Sequence, residues 1–586
     1  MSTRENQEEY SFYNLVVPLT KKKAIFIIII IGFIVYFNML FNGFVWDDIT
    51  YIQLNPDIHS LNILSLFTKD LSFNSGDFYR PIPAIYFSII YAITQNQSFL
   101  YHFIQLILHI AVTCLLFIFL AEFFAELPAL LLALVFLVHP INVESISYIG
   151  ATQSELYALF GMSALLINRN GKTKSRYFFI GGLLLLALLT KEVAIVYFLI
   201  LLLYQIFFKK GTFVKTLISV ELIAFAVYAF LRFVVAGIYF IPPAAISAPI
   251  ASLSLNQRII QIPSIFFYYI KTFIFPKDLA VLQNWYITSL NFSNFYIPLS
   301  IDIIFLILLL SGGWFVYKSS HKKFKIYLLF VIWFLSGMFF LLQLFPLDNT
   351  VSDRWFYLPI IGLLGVIGII TQDLFDNKSK FKTISIIVSI IIITLLSIRT
   401  VVRNTNWYSE VTLYSHDIPI SDDYYKEDKI ANYYYQVGQY QQALIRDQKS
   451  VKFHEIPNNL NNLGEIYQKL GKYNLARQEY EKAIILSKDT VSIYTYYANL
   501  ALLDIYYGNP NEAVAILKSK LLPAFPTNTG ILLMLAIAEY KLHNHTEALS
   551  YAQKANTISP AQSTYIYSLI KENASMQKID KITWNN

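Results

Sequence analysis

The chain has 586 residues, 56% of them hydrophobic and only 14% charged, with a mean hydropathy of +0.50. This is far too apolar for a soluble multidomain protein and implies a polytopic membrane protein. The net charge of +7 is small for the length and sits in short loops between apolar runs, which indicates topology and excludes nucleic-acid binding, while the single cysteine, Cys114, excludes an intrachain disulfide framework.

Residues 1–23 read as a cytoplasmic N-terminal segment ending in Lys21-Lys22-Lys23. The Ile-, Phe-, Val- and Leu-rich stretch that follows lacks a small-residue cleavage site after it, so it reads as a retained signal anchor. Its basic flank places the N-terminus inside and the next residues outside. Those residues are Phe44-Val45-Trp46-Asp47-Asp48, which put two carboxylates where the first helix leaves the bilayer and open an outer loop, 44–98. An Asp pair that merely ends a helix and faces water is the competing reading.

Apolar runs near 24–43, 99–121, 127–143, 150–167, 177–190, 192–208, 214–236, 297–317, 325–345, 355–372 and 382–400 give about eleven spans, each close to bilayer length. Alternation then puts the basic loops 168–176, 209–210, 318–325 and 377–382 inside, as the positive-inside rule requires. The stretch Ile259 to Phe275, with Pro263, Lys271 and paired tyrosines, suits an interfacial or re-entrant helix. An odd count leaves everything after about Arg403 outside. The expected organisation is a membrane domain at 24–403, a linker at 404–423 and a soluble domain at 424–586.

In that last domain the alanines Ala443, Ala476, Ala513 and Ala548 recur at spacings of 33, 37 and 35 residues, each shortly after a turn signal such as Gly438 or Gly471. The best-formed unit runs from Asn462-Leu463-Gly464 through Tyr467, Gly471, Tyr473, Ala476 and Tyr480 to Ala483, the small and aromatic pattern of a tetratricopeptide repeat. About four repeats would stack into an all-α solenoid whose concave face binds a peptide segment. Asn461, Glu465 and Gln468, on adjacent turns of a first helix, are the expected lining. A purely structural array is the competing reading.

Polar groups in the apolar half cluster on the expected outer side. They are His102; His139, Asn142 and Glu144; Lys191 and Glu192; Arg232; and Asp348, Asp353 and Arg354. Ionisable groups in a bilayer are costly, so a set gathered at one face implies a shared cavity. His109, deeper than His102, is expected to bond helix to helix. His543 and His545 stand alone as a metal motif, and no Gly-rich phosphate loop or zinc spacing is present.

The order Val45-Trp46-Asp47-Asp48 with Asn55-Pro56, Tyr79-Arg80-Pro81, Tyr101-His102, His139-Pro140 with Glu144, Lys191-Glu192, Asp353-Arg354 with Tyr357-Leu358-Pro359, and Arg403-Asn404 with Trp407, followed by repeats, resembles the transmembrane and tetratricopeptide-repeat-containing O-mannosyltransferases and their bacterial relatives in the GT-C superfamily. The resemblance covers nearly the whole chain from about residue 41. It implies a lipid-linked sugar donor, an acidic catalytic motif in the first outer loop and repeats outside the cytoplasm. Asp47 matches the first acid of that motif and Asp48 the second. The outer-loop Glu-Arg of animal members is Asp353-Arg354 here, and the array is shorter than most animal ones.

The expected activity is transfer of mannose or another hexose from a polyprenyl-phosphate donor to a hydroxyl, that of a protein Ser or Thr, on the extracytoplasmic side. Asp47 is the expected general base. Arg354, with Lys191 and Arg80, would neutralise the departing phosphate. His102, His139, Glu144, Glu192 and Asp353 would contact sugar or acceptor. A monophosphate leaving group demands no metal, although Asp47 and Asp48 could hold a divalent ion for a pyrophosphate donor. The expected setting is a bacterial cytoplasmic membrane with periplasmic repeats, or the endoplasmic reticulum with lumenal ones. A membrane-anchored repeat scaffold without catalysis is the alternative. A transporter fits less well, because its charges belong near span centres.

Overall fold

The computed structural model describes residues 19–70, 78–169, 175–209, 213–239, 248–375, 380–487 and 492–582. Most of the segment 1–23 and parts of the basic loops 168–176, 209–210 and 377–382 lie outside them. Among the described residues the protein is all-α, with a single isolated bridge between Gln283 and Val351. It divides into two compact units, 1–421 and 422–586.

The first unit is a membrane bundle. In the helix Lys21–Tyr36 the buried residues Ala24, Ile28, Gly32 and Val35 recur every three or four positions, so one stripe packs inward. Gly32 is required there, because a Cβ would lie 2.7 Å from the Ile110 side chain on the neighbouring helix Ser98–Leu120. The opposite stripe, with Phe26, Ile30 and Ile34, is exposed. The helix Lys382–Asn406 likewise turns Ile384, Ile387, Ile391 and Leu395 outward, a surface that only hydrocarbon would cover.

Among the described residues five helices are long and apolar enough to cross a membrane: Lys21–Phe41, Ser98–Leu120, Val214–Val235, Phe292–Ser319 and Lys382–Asn406. The bent pair Glu126–Val138 and Pro140–Ser147 makes a sixth if it is one span. The chain is therefore a multi-pass membrane protein, with fewer such helices than the eleven runs read from sequence. Ser175–Leu188, Glu192–Phe208 and Pro359–Phe375 are apolar but shorter. Gln153–Arg169 carries Gln153, Ser154 and Glu155 in its first turn, and His321–Phe339 opens on three lysines, so neither is apolar enough throughout. The expected outer loop 44–98 is itself partly helical, at Pro56–His59 and at the apolar Pro81–Thr94, which is shorter than a bilayer-spanning helix. Leu255–Ile274 is one helix carrying Pro263 inside it and is not among the candidate spans.

Residues 404–421, expected as a linker, belong to this first unit. Arg403 donates two hydrogen bonds to Asp417, at 2.7 and 3.2 Å, and the Val281 amide donates to the same carboxylate at 2.8 Å. A charge-assisted bidentate pair with a third donor anchors the short helix Glu410–Asp417.

The second unit is built of helical hairpins. Tyr424–Gln436 pairs with Tyr440–Phe453, Pro457–Lys469 with Tyr473–Leu486, Ile493–Tyr507 with Pro510–Ile516, and Thr529–Lys541 with His545–Ile558; Pro560–Lys571 follows. Ala443, Ala476, Ala513 and Ala548 are all fully buried, as the repeat spacing requires. Gly438 and Gly471 take φ of +78° and +73° at the first two turns, the left-handed conformation that glycine adopts without penalty. His543 takes the matching conformation in the fourth hairpin at φ +63°.

Candidate functional site

A cavity in the first unit gathers residues far apart in sequence. Its polar wall is Asp47, Tyr51, Arg80, Tyr148, Gln153, Lys191, Glu192, Asp348 and Arg354, and its apolar wall includes Phe340, Leu341, Phe345 and Leu347. Each polar residue comes from the end of a helix or from the loop beside it, so several alternating helices bring the same end to this cavity.

Trp46, just before Asp47, has φ +57°, a conformation that a bulky residue rarely adopts. It lies stacked on Tyr148 with ring centroids 4.9 Å apart. The Tyr148 hydroxyl donates to Asp47 Oδ2 at 3.0 Å. Asp48 points the other way. It is fully buried, does not line the cavity, and accepts the Val45 amide at 3.1 Å and the Gly150 amide at 2.7 Å. Burial raises its pKa well above the usual carboxylate range despite those amides. The catalytic assignment made for it from sequence thus meets a side chain that braces the loop.

The cations are held differently from one another. Arg354 forms an ion pair with Glu144, lies 3.9 Å from Asp348, and sits over the Trp46 ring at 4.9 Å. Glu144 also accepts the Ser352 hydroxyl at 2.7 Å and the Arg354 amide at 3.2 Å, so it braces Arg354 and is not among the residues that line the cavity. Glu192 lines the cavity but is engaged by Arg232 at 2.7 Å and Arg80 at 3.4 Å. Lys191 makes no ion pair among the described residues. Withdrawal from water, with Arg80 and Arg354 nearby, pushes it down to about 7.

Besides Glu144, three residues expected to contact sugar or acceptor lie outside the lining. His102 is fully buried outside the lining. His139 donates through Nε2 to the Phe273 carbonyl at 2.9 Å and accepts the Ile141 amide at 3.2 Å, so it caps a turn. Asp353 accepts the Tyr268 hydroxyl at 2.5 Å, and burial together with Glu144 raises its pKa. His109 bonds helix to helix as expected, contacting the Tyr357 hydroxyl at 2.9 Å and the Leu137 carbonyl at 3.0 Å. Tyr148, Tyr51 and the Phe340–Leu347 wall carried no sequence signal, since a lone tyrosine or phenylalanine in an apolar chain has no distinguishing spacing. Among the described residues no group of three or more His, Cys, Asp or Glu side chains is placed to hold a metal.

In the second unit a separate pocket is lined by Tyr435, Glu465, Gln468, Asn499, Tyr506 and neighbours. Asn461 and Asn499 each donate to Glu465 Oε1 at 2.9 Å, and Asn499 donates to Asn461 Oδ1 at 2.8 Å. Gln468 accepts the Tyr480 hydroxyl at 3.0 Å. Glu465 and Gln468 therefore line the pocket, and Asn461 braces Glu465 from beside it.

A tetratricopeptide-repeat family model matches residues 457–490. A protein O-mannosyl-transferase of Caenorhabditis elegans is 24% identical over 423 residues, 68% of this chain and 58% of that protein. The protein O-mannosyl-transferases TMTC3 of Homo sapiens and Mus musculus are 31% and 29% identical over 139 and 138 residues, 22% of this chain and 15% of theirs. The chain thus spans little more than half of the worm relative and a small part of the mammalian ones. The solved APC/C hetero-tetramer Cut9-Hcn1 matches with a TM-score of 0.27 at 14% identity over 84% of this chain and 89% of that one, too low a score to carry any argument. By sequence, then, this multi-pass membrane chain is similar to protein O-mannosyl-transferases over two thirds of its length and carries a tetratricopeptide repeat.

Proposed function

We propose that the protein is an integral-membrane glycosyltransferase that moves mannose or another hexose from a polyprenyl-phosphate donor to a hydroxyl acceptor, a protein Ser or Thr, on the extracytoplasmic side. The observation that carries this reading is a cavity whose lining combines three carboxylates, Asp47, Glu192 and Asp348, and three cations, Arg80, Lys191 and Arg354, with apolar residues such as Phe340, Leu341, Phe345 and Leu347. A lipid-linked sugar phosphate has the same division, an anionic head with a hydroxyl-rich sugar and a hydrocarbon tail.

Asp47, oriented by Tyr148, takes the proton of the acceptor hydroxyl as its oxygen attacks the anomeric carbon. The bond to the phosphate oxygen breaks, and the charge left on the lipid phosphate falls to Arg354 and Lys191, with Arg80 beside them. Arg354 is held in place by Glu144 and Trp46, so its planar donor pair needs little reorganisation. The Phe340, Leu341, Phe345 and Leu347 side takes the first isoprenoid units. An odd number of crossings, as the basic loops require, would put the repeats on the side of Asp47, where the Glu465–Gln468 pocket receives an extended acceptor segment. The basic loops support repeats on the extracytoplasmic side, and the Ile-, Asn- and Tyr-rich composition with the short repeat array supports a bacterial cytoplasmic membrane with periplasmic repeats. The test is transfer of radiolabelled sugar from a polyprenyl-phosphate donor to extracytoplasmic proteins by the purified chain, with mass spectrometry of the product; no labelled Ser or Thr under conditions where the donor binds would overturn it.

A further inference from the structure

Among the hydrogen bonds that join the segment before Asp47 to the end of the last membrane helix, Lys382–Asn406, and to the strap that follows it, four are donated by Asn38, Asn42, Gly43 and Trp46. Asn38 Nδ2 donates to the Val401 carbonyl at 2.9 Å, Asn42 Nδ2 to the Asn404 carbonyl at 3.1 Å, and the Gly43 amide to the Tyr408 carbonyl at 3.0 Å. The last is the Trp46 amide, which donates to Glu410 Oε1 at 3.3 Å. The first three are bonds of neutral groups between packed segments. Only the fourth uses a carboxylate, and it lands on the residue whose backbone is in the left-handed region.

We propose that Glu410 is a positioning residue for Asp47, acting through the Trp46 amide; the proposal rests on the glycosyltransferase reading above. A tryptophan at φ +57° returns to the extended region unless its peptide planes are held. Glu410 holds the plane before Trp46. Asp48, bonded to the Val45 and Gly150 amides, holds the turn from inside. With both in place the Trp46 ring lies on Tyr148 and under Arg354, and Asp47 meets the Tyr148 hydroxyl. If Glu410 lets go, the turn relaxes, the indole leaves Arg354 and Tyr148, and the carboxylate of Asp47 is no longer aimed at the reacting hydroxyl. Glu410 is itself fixed at the start of the helix Glu410–Asp417, whose other end is clamped by Arg403 and the Val281 amide. The strap is therefore stiff at both ends, as a positioning element must be.

The test compares the full chain in nanodiscs as wild type, Glu410→Ala and Glu410→Gln. Glutamine keeps an acceptor oxygen and loses only the charge. In Glu410→Ala, kcat for sugar transfer should fall at least tenfold while the donor KM, and binding of a polyprenyl monophosphate as probe, stay within twofold. Glu410→Gln should recover kcat to within about threefold of wild type. Hydrogen exchange of the peptide containing residues 45–49 should be at least tenfold faster in Glu410→Ala and near wild type in Glu410→Gln. Unchanged kcat or unchanged exchange in Glu410→Ala overturns the proposal, as does a parallel loss of probe binding and turnover, which would mark a purely structural residue. If wild type transfers no sugar, the glycosyltransferase reading fails, and the exchange comparison still decides whether Glu410 holds the turn.

Discussion

The Tyr148 hydroxyl donates a 3.0 Å hydrogen bond to the Asp47 carboxylate. Tyr148 follows the bent helix pair and Asp47 follows the first membrane helix, so two chain segments about a hundred residues apart meet at the group proposed to take the acceptor proton. The same tyrosine stacks on Trp46 and lies 5.7 Å from the Arg354 guanidinium, which ties the proposed base and the proposed phosphate ligand to one aromatic ring.

Asp47→Asn keeps the size and one acceptor oxygen but cannot take a proton. Transfer should fall by roughly 10²–10⁴-fold, the range for loss of general base catalysis, with polyprenyl-phosphate binding retained. Turnover and binding measured on the same preparation check this, and wild-type turnover would remove Asp47 from the role.

Arg354→Ala should weaken binding of a polyprenyl monophosphate by about tenfold or more, and Arg354→Lys should restore it only in part, because lysine lacks the planar two-donor fork. It should also disturb Glu144, which loses its buried ion-pair partner. Equal binding by wild type and the alanine variant would argue against contact with phosphate.

Lys191 gives a pH dependence whose sign follows from its lowered pKa of about 7. The ammonium is present below that pH and lost above it, so a bound phosphate that needs the charge is held more weakly as pH rises. Donor affinity should fall about five- to tenfold between pH 6.5 and 8, by proton linkage at one site. Lys191→Met should bind weakly at both pH values and flatten the profile. A wild-type Kd that is constant across this range would sink the assignment.

Glu465 and Gln468 in the repeat pocket, with Asn499 beside them, should serve the acceptor and not the donor. Glu465→Ala and Asn499→Ala should raise KM for a protein acceptor several-fold and leave hydrolysis of the donor by water within twofold. A parallel loss of both activities would point to misfolding of the repeats instead.

Topology has its own check. With Cys114 replaced by serine, a cysteine at the exposed Gln562 should react with a membrane-impermeant thiol reagent in intact cells or spheroplasts. Labelling only after lysis would put the repeats in the cytoplasm and favour a scaffold without access to an outer cavity.

The all-α class, the membrane character and the repeats were legible in the residues alone, because each rests on local periodicity. Ile and Phe on every face of a helix call for lipid, and Ala443, Ala476, Ala513 and Ala548 recur once per hairpin because two helices must approach there. Of the polar set grouped from loop parity and the cost of charge in a bilayer, Asp47, Lys191, Glu192, Asp348 and Arg354 line the cavity, whereas Arg80 joins them from outside that set. What each charged side chain does was decided only by the fold. Asp47 and Asp48 are adjacent and chemically identical, yet one lines the cavity and the other accepts two backbone amides, because the left-handed Trp46 turn aims neighbouring side chains apart. Glu144 and Glu192 likewise became partners of arginines, and residues 404–417 became a strap where a linker was expected. Side-chain direction and long-range pairing depend on which segments meet in space, and that is set by the packing of the whole bundle, which no local pattern of residues encodes.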